Sequence, residues 1–298
     1  EAMAKLGREP VTVADYGSQA VILRLVREAF PDHGVVSEEG SANLRASDRE
    51  DLTQDVVSLV GDAIGVPAAQ ETVCEWIDHQ GKTDAEFVWA VDPIDGTKGF
   101  LRHDQFAVAI GVLRAGEPFA GALACPNLPV HPGKPEGARG VLFLAARGRG
   151  ATQETLQDAR PRPVAVSPAQ DPARLRAMGS VEAAHGDPRI LRALIQDMKL
   201  GGGIVRMDSQ VKYGAVARGD AEIYLRPRSN PDYRENIWDH AAGVAVVEEA
   251  GGRVTDLDGR PLDFRQGSKL VRNRGVLATN GAVHETVLEH LRRVEKVS

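Results

Sequence analysis

The feature that most constrains the fold is a series of four apolar runs that begins at Phe87. They read FVWAV, FAVAIGVLRAG, FAGALACP and GVLFLAARGRG. Apolar runs of this length, punctuated by glycine, are typical of strands joined by short turns, here at Ala115-Gly116 and near residues 148–150. The sequence therefore predicts an antiparallel sheet, backed by helices from the preceding segment.

The segment before this sheet has the pattern of helices. YGSQAVILRLVREAF places Ala20, Leu23, Val26 and Phe30 at helical spacing, and a short strand at 35–36 follows. LTQDVVSLVGDAIG predicts a second amphipathic helix. The acidic run between them, SEEGSANLRASDRED, predicts an exposed loop.

The domain boundary is expected near residues 155–170, where proline and polar residues interrupt the apolar pattern. We therefore expect an α+β domain at 1–160 and an α/β domain at 161–298, where strand and helix signals alternate. The other Pro/Gly-rich stretch, LPVHPGKPEGARG, lies between two strand candidates and predicts a surface loop.

Composition excludes several classes of protein. With 42% apolar and 26% charged residues in 298, the chain is neither disordered nor fibrous. A net charge of -6 attracts neither a nucleic acid polymer nor an anionic membrane. Cys74 and Cys125 are too few for a disulfide framework. With no signal-like N-terminus, we expect a cytoplasmic protein; an organellar location after removal of a presequence stays open.

The stretch VDPIDGT places two carboxylates directly after an apolar run. Asp92 and Asp95 repel one another unless a cation or proton lies between them, and Gly96 and Thr97 complete a tight turn. An EF-hand is excluded because its twelfth position is His103, and an aspartyl-nucleophile phosphatase would carry Asp-x-Asp. A Mg²⁺ site fits; a pair of turn aspartates remains the alternative.

Other acidic residues repeat this arrangement. Glu38 and Glu39 follow a short apolar strand, and Asp239 precedes a predicted helix. Asp15 lies near the start of the first helix, where it either caps the helix or deprotonates a water molecule. Each position alone is typical of a cap or a solvated acid, but their repetition predicts that they converge.

These residues carry a resemblance to a known family. EE at 38–39, DPIDGT at 92–97 and WDHAAG at 238–243 resemble the lithium-sensitive, magnesium-dependent phosphomonoesterases that include inositol monophosphatase. PVTVADYGSQA, DPIDGTKGFLR, ACPNLP and DSQVKYGAVARGDAEIYLR are more similar to the 3'(2'),5'-bisphosphate nucleotidases. The resemblance implies a layered α/β/α/β sandwich of the sugar-phosphatase type, with metals in the first domain and nucleotide in the second.

The resemblance also implies residue roles. Two or three Mg²⁺ ions would be held by Glu38, Asp92, the carbonyl of Ile94, Asp95 and Asp239. Asp15, Thr97 and Glu38 would activate and orient the attacking water. Thr97, His185, Ser209, Lys212, Arg226 and Asp239 would contact the substrate.

The implied reaction is removal of the 3'-phosphate of adenosine 3',5'-bisphosphate, with its 5'-phosphosulfate derivative as a possible second substrate. Two rival functions stay open from the sequence: an inositol or sugar phosphatase with the same chemistry, and a non-catalytic nucleotide and metal sensor. No polymer or membrane partner is expected, and the protein is expected to be a monomer or a homodimer.

Overall fold

A computed structural model describes residues 2–4, 10–46, 49–181, 188–228, 230 and 232–295. The strands are β1 (Ala2–Ala4), β2 (Pro10–Thr12), β3 (Gly34–Ser37), β4 (Phe87–Asp95), β5 (Ala107–Arg114), β6 (Glu117–Pro129), β7 (Arg139–Ala146), β8 (Gly150–Thr155), β9 (Asp158–Val164), β10 (Ala177–Gly179), β11 (Ile204–Arg206), β12 (Ile223–Arg226), β13 (Arg253–Thr255) and β14 (Val276–Thr279). The helices are α1 (Val13–Ala29), α2 (Glu50–Ile64), α3 (Gln70–Ile77), α4 (Thr97–Leu101), α5 (Pro188–Met198), α6 (Val211–Ala217), α7 (Ala241–Glu249) and α8 (His284–Glu295).

The predicted apolar runs form a seven-stranded sheet in the order β3-β4-β5-β6-β7-β8-β9. Only the β3–β4 pair in this sheet is parallel, and the turns at Ala115-Gly116 and before Gly150 join antiparallel neighbours as predicted.

The sheet ends at β9, in a segment where no strand was predicted because of its prolines. Pro161 and Pro163 are tolerated there because an edge strand has N–H groups that need no ladder partner. The division at residue 160 falls within β9 and stays a prediction.

Helices α1, α2 and α3 pack together beside β3 and β4. Thr12 caps α1 by accepting from the backbone of Ala14 and Asp15, which explains why the helix starts before Asp15. The acidic loop after β3 is not wholly exposed, as the sequence pattern suggested. Glu39 is buried because its backbone bonds to Gln19 on α1, and the short 3₁₀ helix that follows at Ser41–Arg45 packs against α2 and α3.

The second sheet has the order β11-β10-β12-β14-β13 and mixes parallel and antiparallel pairs. Helices α6 and α7 contact strands of both sheets, while α5 and α8 pack together against β10, β12 and β14. The result is a layered α/β sandwich, which confirms the predicted fold class and adds an outer helical layer. Among the described residues, no helix is long and apolar enough to cross a membrane.

Candidate active site

The end of β4 carries the first two acidic side chains. Asp92 and Asp95 lie within the strand, not in the loop after it, and the pairing with β5 shifts register between them. This irregularity accommodates Pro93, which cannot donate to a ladder. Gly96 then adopts a φ of 87°, a left-handed conformation that glycine enters without strain, and turns the chain into α4.

The other two acidic side chains reach the same place from neighbouring elements. Because β3 runs parallel to β4, with Ser37 opposite Val91, Glu38 emerges at the same sheet edge. Asp239 arrives from the turn before α7. The cleft is lined by Glu38, Asp92, Ile94, Asp95, Gly96, Thr97, Lys98, Gly99, Asp208, Ser209, Lys212, Arg226, Tyr233, Asn236 and Asp239.

Burial and mutual repulsion disfavour negative charge on these carboxylates in the metal-free protein. Burial raises the pKa of Asp92 well above its usual range, and Glu38, Asp95 and Asp239 raise it further. Burial raises the pKa of Asp95 to about 6 and that of Asp239 to about 7, although nearby cations oppose both shifts. Within the part of the chain that the structure describes, the buried Oδ1 of Asp92 has no hydrogen-bond partner. Buried carboxylates that repel one another fit a Mg²⁺ ion, because Mg²⁺ prefers hard oxygen ligands and its charge offsets the repulsion.

Two cationic side chains face the acidic group. Arg226 Nη2 lies 2.8 Å from Glu235 Oε2 and 3.5 Å from Asp239 Oδ2. Burial tends to raise the pKa of Glu235, whereas the positive charge of Arg226 lowers it. The attraction to Arg226 outweighs burial, and the pKa of Glu235 falls to about 2. Lys212 is buried, donates from Nζ to the carbonyl of Met207 at 3.1 Å, and has a pKa lowered to about 8 by burial.

Glu235, Asp239 and His240 also bring three potential ligand atoms within 4.8 Å of one another. Arg226 already contacts both carboxylates of this group. We therefore interpret it as an ion-pair network rather than as a separate metal site. His240 continues the network to the buried hydroxyl of Tyr213, which lies 2.7 Å from its Nδ1.

Asp15 and Thr97 form a hydrogen-bonded pair beside the carboxylates. Asp15 is buried, and its Oδ2 accepts from the amide and the hydroxyl of Thr12 at 2.7 Å and 2.6 Å. Its Oδ1 lies 3.3 Å from Thr97 Oγ1, which is also 3.2 Å from the carbonyl oxygen of Ile94. Thr12 therefore orients Asp15 toward Thr97.

The cleft brings together every residue predicted to contact the substrate except His185. Ser209 and Lys212 lie between β11 and β12 and line the cleft with Arg226. Ser209 has a φ of 63°, which is uncommon for a residue other than glycine. His185 lies outside the described residues. The roles of all these residues stay predictions.

Sequence reasoning missed two buried glutamines. Gln19 on α1 donates to the carbonyls of Glu39 and Ile77 and accepts from the amide of Glu39. Gln210 joins the Asp95 carboxylate to the turn before α7 and to its first turn. A signal for Gln19 was available: an amide on the apolar face of a helix must find partners when it is buried.

Comparisons with known proteins give matches over nearly the whole chain. The model of the inositol monophosphatase family matches residues 3–296. A 3'(2'),5'-bisphosphate nucleotidase of Emericella nidulans is 37% identical over 99% of this chain and 91% of its own length. An inositol monophosphatase from Anabaena (Nostoc) superposes with a TM-score of 0.63 at 26% identity, over 95% of this chain and 87% of its own. An IMPase/NADP phosphatase solved with Mg²⁺ and phosphate gives a TM-score of 0.63 at 18% identity, over 97% of this chain and 85% of its own. The chain belongs to the inositol monophosphatase family.

Proposed function

We propose that this protein is a magnesium-dependent 3'(2'),5'-bisphosphate nucleotidase that converts adenosine 3',5'-bisphosphate to AMP and phosphate. The observation that carries the proposal is that one cleft is lined by Lys212 and Arg226 together with the carboxylates of Glu38, Asp92, Asp95 and Asp239. The similarity to the Emericella enzyme over nearly the whole chain supports the choice of a nucleotide bisphosphate as substrate.

Glu38, Asp92, Asp95, Asp239 and the carbonyl of Ile94 are the groups that would hold Mg²⁺. When bound, Mg²⁺ supplies positive charge that stabilises the negative charge developing on the phosphoryl oxygens. We expect two or three ions, because more carboxylates line the cleft than one octahedral ion that keeps several waters would use.

In this proposal, Asp15 and Thr97 handle the proton of the attacking water. Thr97 has one hydroxyl hydrogen, and donating it to Asp15 leaves its oxygen lone pairs able to accept a hydrogen bond from water. As the water oxygen bonds to phosphorus and the bond from phosphorus to the ribose 3'-oxygen breaks, Thr97 can take up the water proton while passing its own to Asp15. The leaving 3'-oxygen takes up a proton from solvent water and becomes the 3'-hydroxyl of AMP. Thr12 keeps Asp15 in position through two hydrogen bonds to the other oxygen.

Lys212 and Arg226 provide the positive charge that a bisphosphate requires in a chain of net charge -6. Arg226 can offer charge-assisted hydrogen bonds to phosphate oxygens, and Glu235 fixes the direction of its guanidinium. Ser209 and the undescribed His185 are proposed to complete the contacts to the nucleoside.

The test is phosphate release measured side by side from adenosine 3',5'-bisphosphate, AMP and inositol 1-phosphate, each with Mg²⁺ and with a chelator. We expect Mg²⁺-dependent release from the bisphosphate alone. Preference for inositol 1-phosphate would establish the rival phosphatase function with the same metal site. Nucleotide binding without release from any substrate would support the sensor, which the full set of reactive groups in the cleft disfavours.

A further inference from the structure

Gln210 lies at the junction of the two acidic segments of the cleft. It is 1% exposed and stands directly before α6. Its backbone amide donates to Asp95 Oδ2 at 2.6 Å, while its side chain points toward the turn before α7. One residue therefore contacts the Asp95 carboxylate through its backbone and the turn that contains Asp239 through its side chain.

The side chain of Gln210 holds the backbone on both sides of Asp239. Its Nε2 donates to the carbonyl of Trp238 at 2.9 Å, and its Oε1 accepts from the amide of Gly243 at 3.1 Å. Trp238 directly precedes Asp239, and Gly243 lies in the first turn of α7. Because both ends of the amide are used, its orientation is fixed, and so is the path of the chain through Asp239.

The surroundings leave this junction little freedom. A Cβ on Gly243 would lie 2.2 Å from the Tyr213 ring, and a Cβ on Gly96 would lie 3.0 Å from the Cβ of Ser209. The segments that follow Asp95 and Asp239 are thus both in close contact with residues 209–213, the segment that contains Gln210. A displaced Gln210 would move the carboxylates relative to one another.

We propose that Gln210 is a positioning residue that sets the separation of Asp95 and Asp239, and thereby the affinity of the cleft for a divalent cation. The proposal rests on the proposed function, because it takes these carboxylates as metal ligands. Replacing a residue that fixes the orientation of a metal ligand, without binding the metal itself, typically lowers metal affinity or activity by about 10–100-fold.

The test compares Gln210→Met with the unchanged protein and with Asn280→Leu. Methionine preserves the length of the side chain but cannot donate to Trp238, and the backbone bond to Asp95 survives. Asn280 is the matched control: it is equally buried, donates to the carbonyls of Ser167 and Ala169, accepts from the amide of Val283, and lies outside the cleft lining. Mn²⁺ binding is measured by electron paramagnetic resonance without substrate, beside thermal unfolding in a chelator.

We expect Gln210→Met to weaken Mn²⁺ binding by about 10–100-fold. Asn280→Leu should lower the melting temperature and leave Mn²⁺ affinity unchanged. Equal Mn²⁺ affinity of Gln210→Met and the unchanged protein overturns the positioning role, whatever its melting temperature. If Gln210→Met does not fold, Gln210→Asn, which retracts the amide by one methylene, is judged by the same criterion. If the protein without any substitution binds no Mn²⁺, this result would instead overturn both the metal site and the proposed function.

Discussion

At the scale of single residues, the cleft contains buried carboxylates whose negative charges are not fully offset by neighbouring cations in the metal-free protein. Asp92 is the extreme case, because burial and three neighbouring carboxylates all raise its pKa. Asp95 and Asp239 differ, since Arg226 opposes the shift in both. Asp92 is therefore the carboxylate whose charge costs the metal-free protein most.

Asp92→Asn should abolish the reaction without unfolding the protein. We expect activity to fall by at least about 100-fold, because a metal ligand is lost. In a chelator, the free energy of unfolding should stay equal or rise, because repulsion with Glu38 is relieved. Phosphate release and denaturant unfolding check both effects. Asp32→Asn, at an exposed carboxylate, is the control, and near-normal activity of Asp92→Asn at ordinary Mg²⁺ concentrations would refute its assignment as a ligand.

A second residue-scale prediction concerns His284, which is buried at the start of α8. Thr255 Oγ1 donates to the carbonyl of Asp256 and so accepts from His284 Nε2, while Thr279 faces Nδ1 at 2.9 Å. Burial, together with the positive charge of Arg253, lowers the pKa of His284 to about 4. The imidazole is therefore neutral in the folded protein.

This depressed pKa makes stability depend on pH in one direction. The unfolded chain takes up a proton on His284 near pH 6.5 and the folded chain only near pH 4, so stability is lost as pH falls through this window. The loss from this group is about 3 kcal/mol. Urea unfolding in a chelator should show a shallower pH dependence for His284→Gln than for the unchanged protein. Parallel pH profiles for the two would contradict the assignment.

At the scale of elements, the placement of α7 decides where Asp239 lies. The helix packs against β5 and β6, where glycines make room for it. A Cβ on Gly111 would lie 2.6 Å from the Cβ of Ala241 and 2.7 Å from the amide nitrogen of Ala242. Gly121 approaches the carbonyl of Ala242 in the same way.

Gly111→Ala should therefore push α7 away from the sheet. We expect a loss of about 1–3 kcal/mol in the free energy of unfolding, as for other overpacked cores, together with reduced activity because Asp239 directly precedes α7. Gly133→Ala is the control, since nothing lies within 4 Å of a Cβ there. Chemical denaturation and kcat/KM measure the two effects. Equal stability of the two variants would show that the sheet accommodates the methyl group.

At the scale of the whole molecule, local patterns predicted the strands and the acidic motifs well. Glu38 and the aspartates of DPIDGT could be predicted to converge, because acids at the carboxyl ends of neighbouring parallel strands meet at one end of a sheet. Glu39, which was expected together with Glu38, does not line the cleft. The strand β9 and the burial of Glu39 were missed. The burial of Glu39 depends on its hydrogen bonds to Gln19, 20 positions away, which periodicity does not report. Strand β9 pairs with its sequence neighbour β8, and it was missed because its prolines argue against a strand.

The same limit applies to the supporting residues of the cleft. Nothing local distinguishes Gln210 from a solvated glutamine, because its partners Trp238 and Gly243 are 28 and 33 positions away. The pairing of Arg226 with Glu235 is likewise a choice among many charges. Side chains that hold ligands in place are identified only when the fold has brought their partners together.

The most direct measurement of the central claim is ³¹P nuclear magnetic resonance of adenosine 3',5'-bisphosphate incubated with the protein and Mg²⁺. The account predicts that the 3'-phosphate signal disappears, inorganic phosphate appears in equal amount, and the 5'-phosphate signal persists as AMP. Chelation of Mg²⁺ should stop the change. Loss of the 5'-phosphate, release that continues in the chelator, or an unchanged spectrum would contradict it.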